Sequence, residues 1–192
     1  MSKSKKVLRT ILVAGVLSAL AAMATFSAFS ATTDNPGNNV TAGTVALSDN
    51  DAGTAAYNLS AAKPGQSSTP FCVKVSYTGS LASDVRLYTP STIGALGPNV
   101  NLKVETGSGS QTNCSDFTQA AGDATLFNST LDTFPTSYAS GVVDSGPAAT
   151  TSWATGNSVT YRITATLSAS APDTAQGQTT GSHVIRFEAR NQ

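Results

Sequence analysis

The chain is poor in the residues that most often carry out catalysis or bind metals. Its 192 residues include one histidine, two cysteines and one tryptophan, and only 11% of them are charged. The two glutamates are Glu105 and Glu188, and no His-Glu-x-x-His motif occurs. A zinc peptidase needs about three protein ligands and a glutamate base, so we interpret His183 as a surface residue near a turn. We therefore predict no enzymatic activity, no metal and no cofactor.

The sequence also lacks a long hydrophobic run. A membrane-spanning helix needs about 20 apolar residues, and the longest apolar stretch, residues 11–24, is shorter. A basic head precedes this stretch and small residues follow it, which is the pattern of an export signal with its cleavage zone. We predict that residues 1–27 are a signal peptide, that the membrane is contacted only transiently, and that the mature protein is secreted.

The formal net charge of zero hides an asymmetry. Four of the eleven basic residues lie in the predicted signal and all eleven acidic residues follow it, so the mature chain carries 7 − 11 = −4. A mildly acidic chain does not attract phosphate backbones. We predict no nucleic-acid partner.

An even number of cysteines in an exported chain predicts a disulfide, here between Cys72 and Cys114. Closing this loop should disfavour the unfolded state by about 4 kcal/mol. No Cys-x-x-Cys spacing supports a redox pair, and two thiolates without histidine partners make a poor zinc site.

Short runs of alternating apolar and polar residues predict strands, and no helical period competes over a long window. The clearest run places Phe71, Val73 and Val75 on one face and Cys72 on the other, so the disulfide should hold a loop on the outer side. Similar runs occupy residues 85–88, 100–105, 159–167 and 185–189. Turn residues separate them, and we predict an all-β fold, an antiparallel β-sandwich.

The stretch from Ser115 to Val143 breaks this rhythm, because its apolar residues are irregular and Pro135 interrupts it. We predict an excursion with one short helix near Thr125 to Thr133, laid over a sheet edge.

Residues 49–51 (Asp-Asn-Asp) predict a solvated turn, since the glutamate of a calcium loop is missing. For Trp153 we predict burial near a sheet end with its N–H satisfied.

Several motifs resemble those of the TasA/camelysin family of bacterial secreted proteins. The N-terminal one runs from Thr25-Phe26-Ser27-Ala28-Phe29-Ser30 through an Asp/Asn-rich segment to Val40-Thr41-Ala42-Gly43-Thr44-Val45-Ala46-Leu47. The others are Lys63-Pro64-Gly65, Tyr77-Thr78-Gly79-Ser80-Leu81, Thr160-Tyr161-Arg162-Ile163 and Pro172-Asp173-Thr174-Ala175-Gln176-Gly177. The resemblance implies a jelly-roll-like variant of the sandwich and processing by a SipW-type signal peptidase.

The resemblance also divides the chain. Cleavage between Ser27 and Ala28 fits the family, and cleavage before Ala31 fits the small-residue rule equally well. The first choice leaves residues 28–39 as a flexible N-terminal segment and residues 40–192 as a single β-sandwich domain.

In TasA-like fibres, the resemblance implies that this N-terminal segment inserts as an extra strand into the next subunit. Here the donor residues would be Ala28, Phe29, Ser30 and Ala31, with Phe29 as the main apolar anchor, and Pro36 would interrupt the pairing. The expected function is that of a structural protein of the cell surface or biofilm matrix, a fibre subunit whose partners are other copies of itself or matrix components.

Two alternatives stay open. A monomeric extracellular binding module would display exposed aromatic side chains in the excursion of residues 115–143. A camelysin-like metallopeptidase is disfavoured because the chain has no set of metal ligands.

Overall fold

The computed structural model describes residues 7, 10–16, 37, 39–121, 125–144 and 152–191. The chain divides into two compact units, residues 1–41 and residues 42–192. In the first unit, residues 10–16 are helical and exposed. No helix among the described residues is long and apolar enough to cross a membrane.

The second unit is built almost entirely of β-strands. In the described residues these are β1 (Leu47–Ser48), β2 (Phe71–Tyr77), β3 (Ser83–Tyr88), β4 (Val100–Ser108), β5 (Thr118–Gln119), β6 (Thr125–Thr130), β7 (Val142–Asp144), β8 (Ser158–Leu167) and β9 (Arg186–Asn191). Within the same described residues, short 3-10 turns occupy Gly97–Asn99, Leu131–Thr133 and Asp173–Ala175.

The strands form two antiparallel sheets. The larger sheet has the order β1-β2-β8-β4-β5, with β6 also paired to β4, and the smaller sheet has the order β7-β3-β9. The chain therefore crosses between the sheets at each of the connections β2–β3, β3–β4, β6–β7, β7–β8 and β8–β9.

Alternating side chains of both sheets meet in one core. Because β-branched and aromatic residues recur at every second position, one face of each long strand is apolar and packs against the other sheet. The fully buried members include Val73, Val75, Tyr77, Val85, Leu87, Leu102, Val104, Tyr161 and Ile163. The predicted antiparallel β-sandwich is confirmed.

The prediction of a helix near Thr125 to Thr133 is wrong for most of its length. Residues 125–130 are the strand β6, and only Leu131–Thr133 form a 3-10 turn. Phe127 lies opposite Val104 of β4, and its ring packs edge-to-face on Phe134, with the ring centroids 4.9 Å apart. Pairing with a long neighbouring strand decides the conformation here, because β-structure depends more on its neighbours than on local sequence.

Trp153 is fully buried, as predicted. Its backbone N–H donates to the carbonyl oxygen of Ser83 at 2.7 Å, and the N–H of Ser83 donates back at 3.1 Å. The indole Nε1, however, has no hydrogen-bond partner in the described part of the chain, so the expectation of a satisfied N–H is wrong. Trp153 thus packs through its apolar rings while its backbone joins β3.

Candidate functional site

A groove opens beside the last strand of the smaller sheet. It is a cavity of about 890 Å³. Its floor is the inner face of the larger sheet, formed by Phe71 and Val73 of β2 and by Ile163, Ala165 and Leu167 of β8. All five side chains are apolar, because the alternation that builds the core continues to this end of both strands.

Loops rather than a strand form the walls of the groove. The β1–β2 connection contributes residues 53–59 on one side, and residues 178–185, which lead into β9, line the other. From the smaller sheet, Phe187 of β9 also lines the groove, and its ring centroid lies 4.8 Å from that of Tyr161 on β8.

The strand next to this groove has a free edge. Within the described residues, β9 pairs only with β3, from Arg186 opposite Tyr88 to Asn191 opposite Ser83. The other edge strand of the smaller sheet, β7, approaches β6, whereas Phe187 of β9 packs on Tyr161 of β8 and lines the groove together with Phe71 and Val73 of β2. An edge strand leaves every second N–H and C=O available for another strand.

The two faces of β9 differ in chemistry. Phe187 and Ala189 pack against the core, while Arg186 and Arg190 are exposed on the other face. Glu188 lies between them, accepts a hydrogen bond from the hydroxyl of Tyr88 and pairs with Arg190 at 2.7 Å. A strand added at this edge would therefore lie beside apolar side chains of β9 on the groove side and beside charged side chains of β9 on the solvent side.

One hydrogen bond joins the two walls of the groove. The hydroxyl of Tyr57 lies 2.5 Å from Nε2 of His183, and Nδ1 of His183 lies 3.0 Å from the carbonyl oxygen of Gly181. A carbonyl oxygen only accepts, so Nδ1 donates to Gly181, and Nε2 accepts a hydrogen bond from the Tyr57 hydroxyl when Nδ1 carries the only proton of the ring. Burial raises the pKa of the Tyr57 hydroxyl, which keeps it protonated and able to donate.

His183 lies in the loop before β9, near the turn where the sequence predicts it. It is half-buried, however, and both ring nitrogens are engaged. The sequence alone does not indicate its pairing with Tyr57, because the two residues are 126 positions apart and no local motif connects them.

Two carboxylates line one end of the groove. Burial raises the pKa of Asp51, the nearby charge of Asp49 raises it further, and a hydrogen bond from the N–H of Gly53 lowers it. That bond is 2.7 Å long and forms the predicted turn. Between the two aspartates, the side chain of Asn50 accepts from the N–H of Lys74 and donates to the carbonyl oxygen of Ser110. In the described chain, no three His, Cys, Asp or Glu residues group as metal ligands.

The predicted disulfide between Cys72 and Cys114 is confirmed, with the two Cα atoms 5.1 Å apart. Cys72 is buried on the outer face of β2, and its N–H donates to the carbonyl oxygen of Thr112. The bridge holds the loop between β4 and β5 on the outer side of the larger sheet, as predicted. A disulfide fits an extracytoplasmic location.

The aromatic side chains of the excursion all make intramolecular contacts. Phe134 is buried and packs on Phe127. The guanidinium of Arg162 lies 4.5 Å from the ring centroid of Phe117, and Tyr138 donates to the carbonyl oxygen of Asp84. None of the described aromatic residues between positions 115 and 143 is fully exposed.

The predicted processing and donor residues, Ser27, Ala28, Phe29, Ser30 and Ala31, lie outside the described residues. No protein-family model matches the chain, and no curated protein matches it.

Proposed function

We propose that the protein is a secreted structural subunit that assembles by strand addition. Residues 28–39 of one copy would pair with the free edge of β9 in the next copy and cover the apolar floor of its groove. The observation that carries this proposal is the coincidence of a free strand edge with an apolar sheet face that, among the described residues, no strand covers.

The donor segment has a suitable length and pattern. Eight residues, Ala28 to Asn35, precede Pro36, and β9 has six residues. Proline cannot donate a ladder hydrogen bond, so Pro36 would end the pairing after the donor has spanned β9. Phe29 and Ala31 would share one face of the added strand and point into the groove, with Phe29 as the main apolar anchor.

Strand addition of this kind is head-to-tail. The donor and the acceptor are different surfaces of the same chain, so each added copy presents a new acceptor. Such an interface builds filaments when its rotation does not close. A fibre or surface coat therefore needs no partner other than further copies, although matrix components remain candidate partners.

The proposed location is the bacterial cell surface or extracellular matrix. The disulfide supports it, as does the export-signal pattern of residues 1–27. The likeness of the N-terminal motif to the TasA/camelysin family adds a SipW-type signal peptidase as the processing partner. We propose no enzymatic role, since the groove presents one histidine and no set of metal ligands among the described residues.

The alternative of a monomeric binding module rests on exposed aromatic side chains in the excursion. The described aromatic residues there pack on the protein itself, so we favour the structural role.

The test is electron microscopy and light scattering on residues 28–192 and on residues 40–192. We expect filaments from the longer chain and monomers from the shorter one. Phe29→Ser should slow assembly, whereas Thr32→Ser, on the opposite face of the donor, should not. Stable monomers from both chains over days at high concentration would contradict the proposal.

A further inference from the structure

One segment of the groove wall is held unusually weakly. In the described chain, Tyr57 is the only residue between positions 55 and 62 that makes a hydrogen bond. The remainder of this segment is held by apolar packing, with Ala56, Tyr57 and Ala62 resting partly buried against the core. Segments with few hydrogen bonds and little buried surface open at low free-energy cost.

One residue within this segment and one residue before it have a strained backbone. Ala52 has a φ of 53° and Ala61 a φ of 48°, which is a region that residues with a Cβ rarely occupy. Strain at a loop boundary persists only when surrounding contacts hold it, and it favours any alternative in which the loop is released. Ala52 lies before the segment, in the turn that the N–H groups of Gly53 and Thr54 close on Asp51, so only the strain at Ala61 belongs to the weakly held part.

The opposite wall is firmly anchored. The N–H groups of Gly94 and Leu96 donate to the carbonyl oxygens of Thr180 and Thr179, and the N–H of Val184 donates to the hydroxyl of Ser91. If the bond between Tyr57 and His183 breaks, the wall that moves is therefore the segment of residues 55–62.

We propose that residues 55–62 are a flap over the strand-acceptor groove and that the hydrogen bond from Tyr57 to His183 is its latch. Closed, the flap crosses to the residues that precede β9 and covers the apolar floor beside the free edge. Open, it exposes Phe71, Ala165 and Leu167 to an incoming strand. The flap thus limits the rate of strand addition and keeps the groove of an unassembled copy covered.

This inference rests on the proposed function for what the groove admits, but the flap itself can be tested in the monomer. A cysteine at Ala165, on the groove floor, reports opening through its rate of thiol labelling. The native chain has no free thiol among its described residues, so a dilute sample of residues 28–192 carrying Ala165→Cys gives a single signal. A cysteine at Val75, buried in the core away from the groove, reports global unfolding.

We expect Tyr57→Phe to raise labelling at position 165 about five-fold, the effect of losing one typical hydrogen bond. His183→Ala should do the same, and the double variant should add little, because both remove one contact. Tyr138→Phe is the matched control, since it removes the hydrogen bond of a tyrosine that does not line the groove. Labelling at position 75 should stay much slower than labelling at position 165 in every variant, because it requires global unfolding rather than local opening.

Unchanged labelling in Tyr57→Phe would overturn the latch. If the wild type assembles, and Tyr57→Phe labels faster but assembles at the same initial rate, then the flap does not control strand addition. If the wild type does not assemble, the proposed function fails, and the labelling alone decides whether the latch exists.

Discussion

At the scale of single residues, a cluster of charged side chains surrounds Glu105. This carboxylate is buried on the outer face of β4 and lies 2.8 Å from both Arg162 Nε and Lys103 Nζ. The side-chain hydrogen bond from Arg162 is the main reason that the pKa of Glu105 is lowered. Arg162 in turn covers the ring of Phe117, so the cluster ties β4, β8 and the loop before β5 together.

We predict that Glu105 makes stability depend on pH. Its folded-state pKa lies below the ordinary value of 4.5, so its contribution is complete above that value and is lost as the pH falls through the lower folded value. Glu105→Gln should lower the free energy of unfolding at pH 7 by about 1–2 kcal/mol. The difference from wild type should shrink below pH 4 in urea titrations, and a constant difference at every pH would contradict the assignment.

The disulfide gives a second prediction at this scale. Cys72→Ser with Cys114→Ser should lower the free energy of unfolding by about 2–4 kcal/mol, because the unfolded chain regains the freedom of a long loop. Chemical reduction of the wild type should reproduce the loss. An unchanged urea midpoint in both experiments would mean that the bridge does not stabilise the fold.

At the scale of elements, the two edges of the smaller sheet can be compared directly. Val184, before β9, is 54% exposed and lines the groove, while Val143 on β7 is 48% exposed at the opposite edge. Because the two valines are similarly exposed, the same substitution at each of them compares the two edges of the smaller sheet.

We predict that Val184→Glu slows filament formation at least ten-fold, because it places a charge where the added strand would be buried. Val143→Glu should leave the rate within about two-fold, as expected for a surface substitution. Light scattering at equal concentration measures both rates. Equal slowing by both variants would show that the acceptor is not the β9 edge.

The sequence predicted the long strands well because their alternation is regular. Residues 159–167 became β8 (Ser158–Leu167), and residues 100–105 fall within β4. β6 was missed because its pattern is irregular and its pairing with β4 is not a local property. The groove could not be predicted, since it depends on which strand ends the smaller sheet, and sequence periodicity does not specify the order of strands.

At the scale of the whole molecule, only loops among the described residues cover the apolar floor of an isolated copy, whereas an added strand would also pair with β9, so an assembled copy should be more stable than an isolated one. Binding that favours the folded state raises stability by mass action. We predict that the melting temperature of residues 28–192 rises with protein concentration, by several degrees over a hundred-fold range, and that the melting temperature of residues 40–192 does not. Differential scanning calorimetry tests this, and two flat concentration series would argue against assembly through the N-terminal segment.

In the proposed fibre, a donor strand from one copy lies beside β9 of another. This arrangement is tested most directly by mixing chains that carry Ser30→Cys with chains that carry a cysteine on the solvent side of β9, at Arg186 or Arg190. Paired strands bring facing Cα atoms to about 5 Å, within disulfide range. We predict rapid intermolecular cross-linking at one of these two positions and little with Val143→Cys on β7. Equal cross-linking at both edges, or none at β9, would rule out strand addition at β9.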